Sequence, residues 1–214
     1  MTARAAFLRA VGPRLLHCTA RSNLSGIHLN GLMPPALLAQ KARRDPAALA
    51  LRRDRVLLTL PDSTSARLNH QLPILQGLAA ANRIIDGHDV TSWARQLDAR
   101  VFFWPAHKGR AFADSIRRNS EIALIWFDSG ALFDALGPAL WLSPINSGNF
   151  RQGGARARRG DWLYCRATDG IAAFRHNRRD RGLIAGTDRV SEVSLTGAIS
   201  ARLFHDLAPD IDEG

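Results

Sequence analysis

The pattern of hydrophobic positions predicts short strands and helices along the chain. The segment "EIALIWFD", residues 121–128, is a continuous apolar run typical of a strand that is buried on both faces. The segment "RVFFWP", residues 100–105, predicts a compact apolar strand that ends at its proline. Between them, "GRAFADSIRRN" carries Phe112 and Ile116 four positions apart, which is the spacing of one helix face. The centre of the chain therefore predicts a strand, a helix and a second strand.

The N-terminal segments predict a helix, a strand and a second helix. Residues 1–13 predict a short helix or a loose arm that ends at Gly12-Pro13. The segment "LLHCTARSNLSGIHLNGL", residues 15–32, predicts a strand over 15–19 followed by a helix. Ser22 or Asn23 can cap this helix, and Gly31 suits its C-terminal end.

The polar and apolar pattern also predicts helices from Pro35 to about residue 43, after Pro46, after Pro73 and over 129–137. Thr91 or Ser92 is expected to cap a further helix that precedes "RVFFWP". The segment "RVLLTLP", residues 55–61, predicts either the end of a helix or a strand.

The C-terminal part changes in composition. The segment "NFRQGGARARRG", residues 149–160, holds three glycines and four arginines and predicts a mobile loop. Strands are predicted in "ALWLSPINSG", "DWLYCRA" and "VSEVSLT", and the basic stretch "RHNRRDRG", residues 175–182, lies between the last two. Because the elements mix without regular β-α-β alternation, the sequence predicts an α+β fold in a single domain, residues 1–214.

Composition adds a strong positive charge to this picture. The chain has 214 residues, 46% of them hydrophobic, which supports one sizeable core. The formal net charge is +10, and nearly all of the cationic residues are arginines, since the lysines are Lys41 and Lys108. Such a balance favours polyanions such as DNA or RNA. Scattered arginines on a solvated surface are the alternative explanation.

Other sequence features exclude several classes of protein. Cys18 and Cys165 are far apart, which argues against a disulfide scaffold or a zinc site and favours the cytoplasm. The seven histidines form no close pair with ligand spacing, so no metal is expected. No apolar window approaches the roughly 18 residues of a membrane span, and we expect no membrane association. The sequence has no GxGxxG, P-loop, HExxH or GxSxG motif.

Glu192 stands in a predicted strand, where a carboxylate is disfavoured unless it faces water or takes part in chemistry. Taken alone, it is most simply an outward-facing strand residue. His17 alone is most simply a core histidine that bonds to a neighbouring strand. Asn23 alone is most simply a helix cap.

Several segments together resemble a known family. The segments "HCTARSNLSGIHLNGL", "RVFFWP", "ALIWFDSGAL", "LSPINSG" and "VSEVSL" resemble an uncharacterised bacterial family, DUF7002, over most of the chain. The first and the last of these segments also resemble the ADP-ribosyltransferase-like superfamily, particularly the DarT-type DNA-modifying toxins. That superfamily has a His-x-Thr strand that leads into a helix, and a late strand that carries a glutamate.

This resemblance implies a fold, a cofactor and a set of site residues. The fold would be an ADP-ribosyltransferase-like split β-sheet core with flanking helices, and NAD would be the substrate. Glu192 would stabilise the positive charge that develops on the ribose, and it would orient or deprotonate the acceptor. His17 would bind a ribose hydroxyl. The remaining NAD-binding residues implied are Cys18 and Thr19 through their backbone, Asn23, and the aromatic side chains of Phe103 and Tyr164.

The resemblance also implies an acceptor class. Arginine-directed protein modifiers carry a second Glu or Gln two positions before the glutamate, and this chain has Val190 there. This leaves a nucleic acid or a small molecule as the acceptor. We expect a DNA or RNA base or another polyanionic acceptor, consistent with a toxin or antiphage effector, with an antitoxin as an open question. The catalytic arginine of the DarT-type enzymes corresponds to one of four candidates, Arg43, Arg44, Arg52 and Arg53. Arginines in "ARARRG", residues 155–160, or in 175–182 would neutralise the pyrophosphate.

Two other functions stay open. The first is a non-catalytic module of the same fold that grips nucleic acid with its basic loops at 151–159 and 175–182, where Glu192 would be incidental. The second is an RNA 2′-phosphotransferase, which shares the fold and also uses NAD. The ADP-ribosyltransferase hypothesis makes one sharp geometric prediction, that His17 and Glu192 face each other across one cleft.

Overall fold

The structure is a computed structural model that describes residues 1–117, 121–151, 157–180, 182, 189–207 and 209–213. The strands in this part of the chain are β1 (Arg14–Ala20), β2 (Val56–Thr59), β3 (Ser65–Leu68), β4 (Arg100–Pro105), β5 (Ile122–Asp128), β6 (Leu140–Ser143), β7 (Cys165–Arg166), β8 (Glu192–Thr196) and β9 (Asp210–Asp212). The helices are α1 (Ala3–Val11), α2 (Leu24–Asn30), α3 (Pro35–Lys41), α4 (Leu72–Leu75), α5 (Leu78–Ile84), α6 (Val90–Asp98), α7 (Ala106–Arg117), α8 (Ser129–Leu136), α9 (Gly170–Asp180) and α10 (Ala201–Leu207).

The centre of the molecule is a large antiparallel sheet. Its described strands follow the order β7-β6-β8-β4-β1-β5-β9, and every neighbouring pair is antiparallel. Strands β2 and β3 form a separate antiparallel hairpin. With helices flanking the sheet, the architecture is α+β, as the sequence predicts. None of the helices in the described ranges has the length and apolar character needed to cross a membrane.

The sheet opens between β1 and β4. Strand β1 pairs with β5 along its whole length, but it pairs with β4 only at Leu15 and Leu16, opposite Pro105 and Trp104. The other end of β4 pairs with β8, from Arg100 to Phe103. Beyond Leu16, the edge of β1 that faces β4 therefore has no strand partner among the described residues.

The two faces of the sheet pack into different cores. The main core includes Phe103 of β4 and Phe127 of β5, whose rings lie 5.5 Å apart in a T-shaped arrangement. The second core contains Trp93 of α6 and Tyr164, and Phe102 packs against it. Adjacent residues of a strand point to opposite faces, which is why Phe102 and Phe103 enter different cores.

Three of the local predictions are wrong. Asp89, not Thr91 or Ser92, caps α6, since its side chain accepts a hydrogen bond from the Ser92 amide at 2.6 Å. The segment "DWLYCRA" is a single turn of 3-10 helix followed by the two residues of β7. Most of the basic stretch 175–182 is helical, because α9 extends to Asp180. In the predicted loop 149–160, residues 152–156 lie outside the described residues.

Gly31 fixes the junction between α2 and the C-terminal part of the chain. It ends α2 with φ +85°, a conformation that favours glycine. The next residue, Leu32, exchanges two backbone hydrogen bonds of 2.9 Å with Ile199. A Cβ atom on Gly31 would lie 2.1 Å from the Ile199 carbonyl oxygen, so this junction has no room for a side chain.

We expect Gly31→Ala to destabilise the fold more than Gly12→Ala does, by at least about 2 kcal/mol, because it adds a backbone clash to the cost of the backbone conformation. Gly12→Ala is the matched control, since Gly12 and Gly31 have φ of +84° and +85° with ψ close to 180°, and Gly12 has open space around its missing side chain. Its cost should be that of this conformation alone, about 1 to 3 kcal/mol. Urea unfolding of both variants measures the difference, and equal losses would contradict the role given to the junction.

Candidate functional site

A cavity of about 190 Å³ lies beside the part of β1 that does not pair with β4. We call it the β1 pocket. Its walls come from β1, α2, α3, and the hairpin of β2 and β3, together with the start of β5. The lining residues that carry polar groups of interest are His17, Cys18, Thr19, Asn23, Arg55, Arg67 and Glu121.

His17 marks the point where the two strands separate. Its Nδ1 atom lies 2.9 Å from the carbonyl oxygen of Phe102 on β4. A carbonyl only accepts hydrogen bonds, so Nδ1 carries the proton and donates it. Burial lowers the pKa of His17 to about 4, which makes the imidazole neutral at pH 7. The remaining nitrogen, Nε2, is then a hydrogen-bond acceptor on a pocket-lining side chain.

Asn23 joins three walls of the β1 pocket. Its Oδ1 atom accepts from the Arg67 amide at 2.7 Å, and its Nδ2 atom donates to the Arg67 carbonyl at 3.0 Å. Nδ2 also donates to Thr19 Oγ1 at 3.0 Å. Asn23 therefore makes no side-chain cap on α2, and both of its amide hydrogens hold the pocket together. The predicted contact of Asn23 with a ribose or a phosphate has no support in this arrangement.

Glu192 lies elsewhere, at the start of β8 and 2% exposed. Ser147 donates to Glu192 Oε1 from its hydroxyl at 2.6 Å and from its amide at 3.4 Å. Burial raises the pKa of Glu192 to about 7, against the lowering effect of the Ser147 bonds and of the positive charges of Arg100 and Arg159. Glu192 is not among the residues that line the β1 pocket.

The sheet itself separates His17 from Glu192. Glu192 is two positions before Ser194, so it shares the face of Ser194 and of its partner Phe102. The ring of His17 instead contacts Phe103, with centroids 5.9 Å apart, and Phe103 points to the opposite face. The prediction that both residues face each other across one cleft is therefore wrong for this structure, although their chemical roles stay predictions.

The two predicted aromatic contacts also lie away from the β1 pocket. Phe103 is fully buried in the main core. Tyr164 stacks on Trp93, with centroids 6.1 Å apart, and the guanidinium of Arg100 lies 4.0 Å from its ring. Stacking of either ring on a nicotinamide bound in the β1 pocket would require a different arrangement of these side chains.

The structure assigns different arginines to the pocket from those that the sequence suggests. Arg52 forms a buried ion pair with Asp98 at 2.5 Å. Neither it nor the other candidates, Arg43, Arg44 and Arg53, line the pocket. Arg55 and Arg67 do, and both belong to the region of the β2–β3 hairpin. The alternating pattern of "SARL" indicates a strand there, but only the tertiary fold brings the hairpin to β1.

The loop arginines near 151–159 are mostly engaged within the protein. Arg158 forms an ion pair with Asp86, and Arg151 donates to Gln76 at 2.8 Å. Arg159 is fully buried and donates to backbone carbonyls, including that of Ser147 at 3.0 Å. These contacts fix the described ends of the loop, and they give no support to the predicted pyrophosphate contacts from Arg158 or Arg159.

The comparison with protein families identifies the chain. It belongs to the family of unknown function DUF7002, which matches residues 13–205. The resemblance of the sequence motifs to this family is thus confirmed. None of the curated proteins matches the chain. In the part of the chain that the structure describes, no three His, Cys, Asp or Glu side chains are grouped so that they could hold a metal ion.

The raised pKa of Glu192 predicts how stability depends on pH. A carboxyl with a pKa near 4.5 when unfolded and about 7 when folded holds its proton longer in the folded state. Stability is therefore lost as pH rises from about 4.5 to 7, by up to roughly 3 kcal/mol. We expect Glu192→Gln to remove this loss.

Urea unfolding of the wild type and of Glu192→Gln at several pH values from 5 to 8 checks this. The opposite dependence that His17 contributes is common to both proteins, so the difference between them isolates Glu192. Parallel stability curves would show that Glu192 is charged and satisfied in the folded state.

Proposed function

We propose that this protein binds NAD in the β1 pocket and transfers ADP-ribose to a nucleic acid. The observation that carries the proposal is the opening of the sheet at His17. The His-x-Thr segment, residues 17–19, does not pair with β4, and it lines a cavity together with Asn23. An ADP-ribosyltransferase-like split sheet is the arrangement that the sequence resemblance implies.

The pocket chemistry suits one end of NAD. The neutral His17 imidazole offers Nε2 as an acceptor for a ribose hydroxyl. The backbone groups of Cys18 or Thr19 would pair with the nicotinamide amide. Pockets that enclose a drug-sized ligand measure about 300–1,000 Å³, so a cavity of about 190 Å³ takes the nicotinamide and its ribose rather than the whole molecule. The diphosphate would lie toward the exposed Arg55 and Arg67.

The proposed reaction breaks the bond between the ribose C1′ and the nicotinamide nitrogen. A base nitrogen or oxygen of the acceptor attacks C1′, the nicotinamide leaves with the bonding electrons, and the acceptor loses a proton. The positive charge that develops on the ribose calls for a nearby carboxylate. The sequence resemblance points to Glu192 as this carboxylate. The geometry points instead to Glu121, the acidic residue in the lining of the pocket.

The positive charge supports a nucleic-acid acceptor. With a formal net charge of +10, the protein attracts phosphates through counterion release. The second candidate function is a non-catalytic nucleic-acid-binding module of this architecture. The observation in its favour is that Glu192 is buried beside Ser147, on the other face of the sheet from His17.

The proposal predicts that NAD binding depends on His17. His17→Ala should weaken binding about tenfold, because one hydrogen bond to the ribose is worth about 1.4 kcal/mol. Isothermal titration calorimetry with NAD measures the affinity, and circular dichroism checks that the variant is folded. His176→Ala is the control, because His176 is exposed on α9 and lies outside the pocket. Equal affinities for all three proteins, or no binding to the wild type, would refute the NAD site.

Labelled NAD mixed with DNA or RNA tests the chemistry. We expect the wild type to transfer label and release nicotinamide, and one of Glu192→Gln and Glu121→Gln to reduce the rate at least a hundredfold. A loss of transfer activity in Glu192→Gln would support Glu192 as the catalytic carboxylate. A loss of transfer activity in Glu121→Gln would support Glu121 in that role. No nicotinamide release from the wild type, together with salt-dependent binding of the same nucleic acid, would establish the non-catalytic module instead.

A further inference from the structure

A second cavity, of about 520 Å³, lies between α1, α9 and the start of α7. We call it the α1–α9 cavity. Its lining includes the exposed side chains of Arg9, Arg175, Arg189 and His107. None of the described residues that line it is acidic.

The three arginines come from separate elements. Arg9 is in the last turn of α1, Arg175 is in α9, and Arg189 lies just before β8. Helix α1 packs against α9, which brings the first two to one surface. Arginines that converge from different directions can surround a phosphate group and donate several charge-assisted hydrogen bonds to it.

The described lining of this cavity carries positive charge. Partial burial lowers the pKa of His107, and the positive charges of Arg189 and Lys108 lower it further. The described residues that line the cavity therefore contribute three arginines and no carboxylate.

The α1–α9 cavity is distant from the β1 pocket. Gly12, just before β1, lines the α1–α9 cavity, whereas Thr19, near the other end of β1, lines the β1 pocket. Seven residues of extended chain at about 3.3 Å each span at most about 23 Å. At about 3.4 Å per nucleotide along a duplex axis, a strand of up to about seven nucleotides would span the two sites.

We propose that the α1–α9 cavity binds the phosphate backbone of a nucleic-acid strand. The site takes phosphate groups without reading bases, because guanidinium groups recognise the charge and geometry of phosphate rather than sequence. This inference deepens the proposed function by naming where the acceptor strand is held. It rests on that function for the choice of nucleic acid over free phosphate, but it needs neither NAD nor catalysis.

The test compares two triple variants of the full chain with the same change in charge. Arg9, Arg175 and Arg189 are changed to Gln in the first, and Arg83, Arg95 and Arg202, exposed arginines outside both cavities, in the second. Fluorescence anisotropy with a short labelled DNA strand at several salt concentrations measures affinity and salt slope. The cavity variant should bind at least tenfold more weakly, with a slope smaller by about 2, since each lost phosphate contact removes about 0.7.

The control variant should bind within about threefold of the wild type. Equal losses in both variants would overturn the proposal, because net charge alone would then explain binding. Inorganic phosphate is the second arm. If it binds the wild type and not the cavity variant while both bind DNA equally, the site is one for free phosphate and the proposal fails.

A spectroscopic reporter keeps the test independent of the folding of the variants. In the wild type, a bound phosphate should raise the pKa of His107, measured by NMR with and without the DNA strand. An unchanged His107 pKa at saturating DNA would overturn the proposal. Glu192→Gln and Glu121→Gln should bind DNA like the wild type, so loss of ADP-ribosyl transfer and loss of strand binding are distinguished.

Discussion

One hydrogen bond joins the two strands at the point where the central sheet opens. His17 donates from Nδ1 to the Phe102 carbonyl, just beyond the last paired residues of β1 and β4. This bond satisfies a backbone acceptor that the ladder no longer reaches, and it fixes which nitrogen of the imidazole carries the proton. The acceptor at Nε2, on the lining of the β1 pocket, follows from this bond. A core histidine that bonds to a neighbouring strand is the ordinary interpretation of His17, and the structure places this half-buried side chain in that role at the border of a cavity.

A second polar network lies on the other face of the sheet. Ser147 bonds to Glu192, and its carbonyl accepts from both Arg159 and the indole of Trp93. Because these groups are buried, each bond matters more than it would at the surface, and loss of one partner leaves the others unsatisfied. The network holds the loop after β6 against the second core. It also keeps Glu192 in place, on the face of the sheet opposite to the ring of His17.

The sequence predicts local elements well where a strong pattern decides them. The predicted strand over 100–105 coincides with β4, and that over 121–128 differs from β5 by one residue, because long apolar runs leave little choice. The helix over residues 24–30 and its end at Gly31 follow from local chain geometry. The failures need knowledge of tertiary structure. The side chain of Asn23 forms hydrogen bonds with the backbone of Arg67, which is 44 positions away, and no local pattern predicts that partner. Which face of the sheet receives Glu192 depends on the register of β4 and β8, which is equally non-local.

The central claim is that NAD occupies the β1 pocket, and a crystal structure of the protein with NAD tests it most directly. The account predicts the nicotinamide riboside beside residues 17–19, with His17 Nε2 within hydrogen-bond distance of a ribose hydroxyl and Nδ1 still bonded to Phe102. NAD bound beside Glu192 on the opposite face of the sheet, or an empty β1 pocket in crystals soaked with saturating NAD, would contradict it.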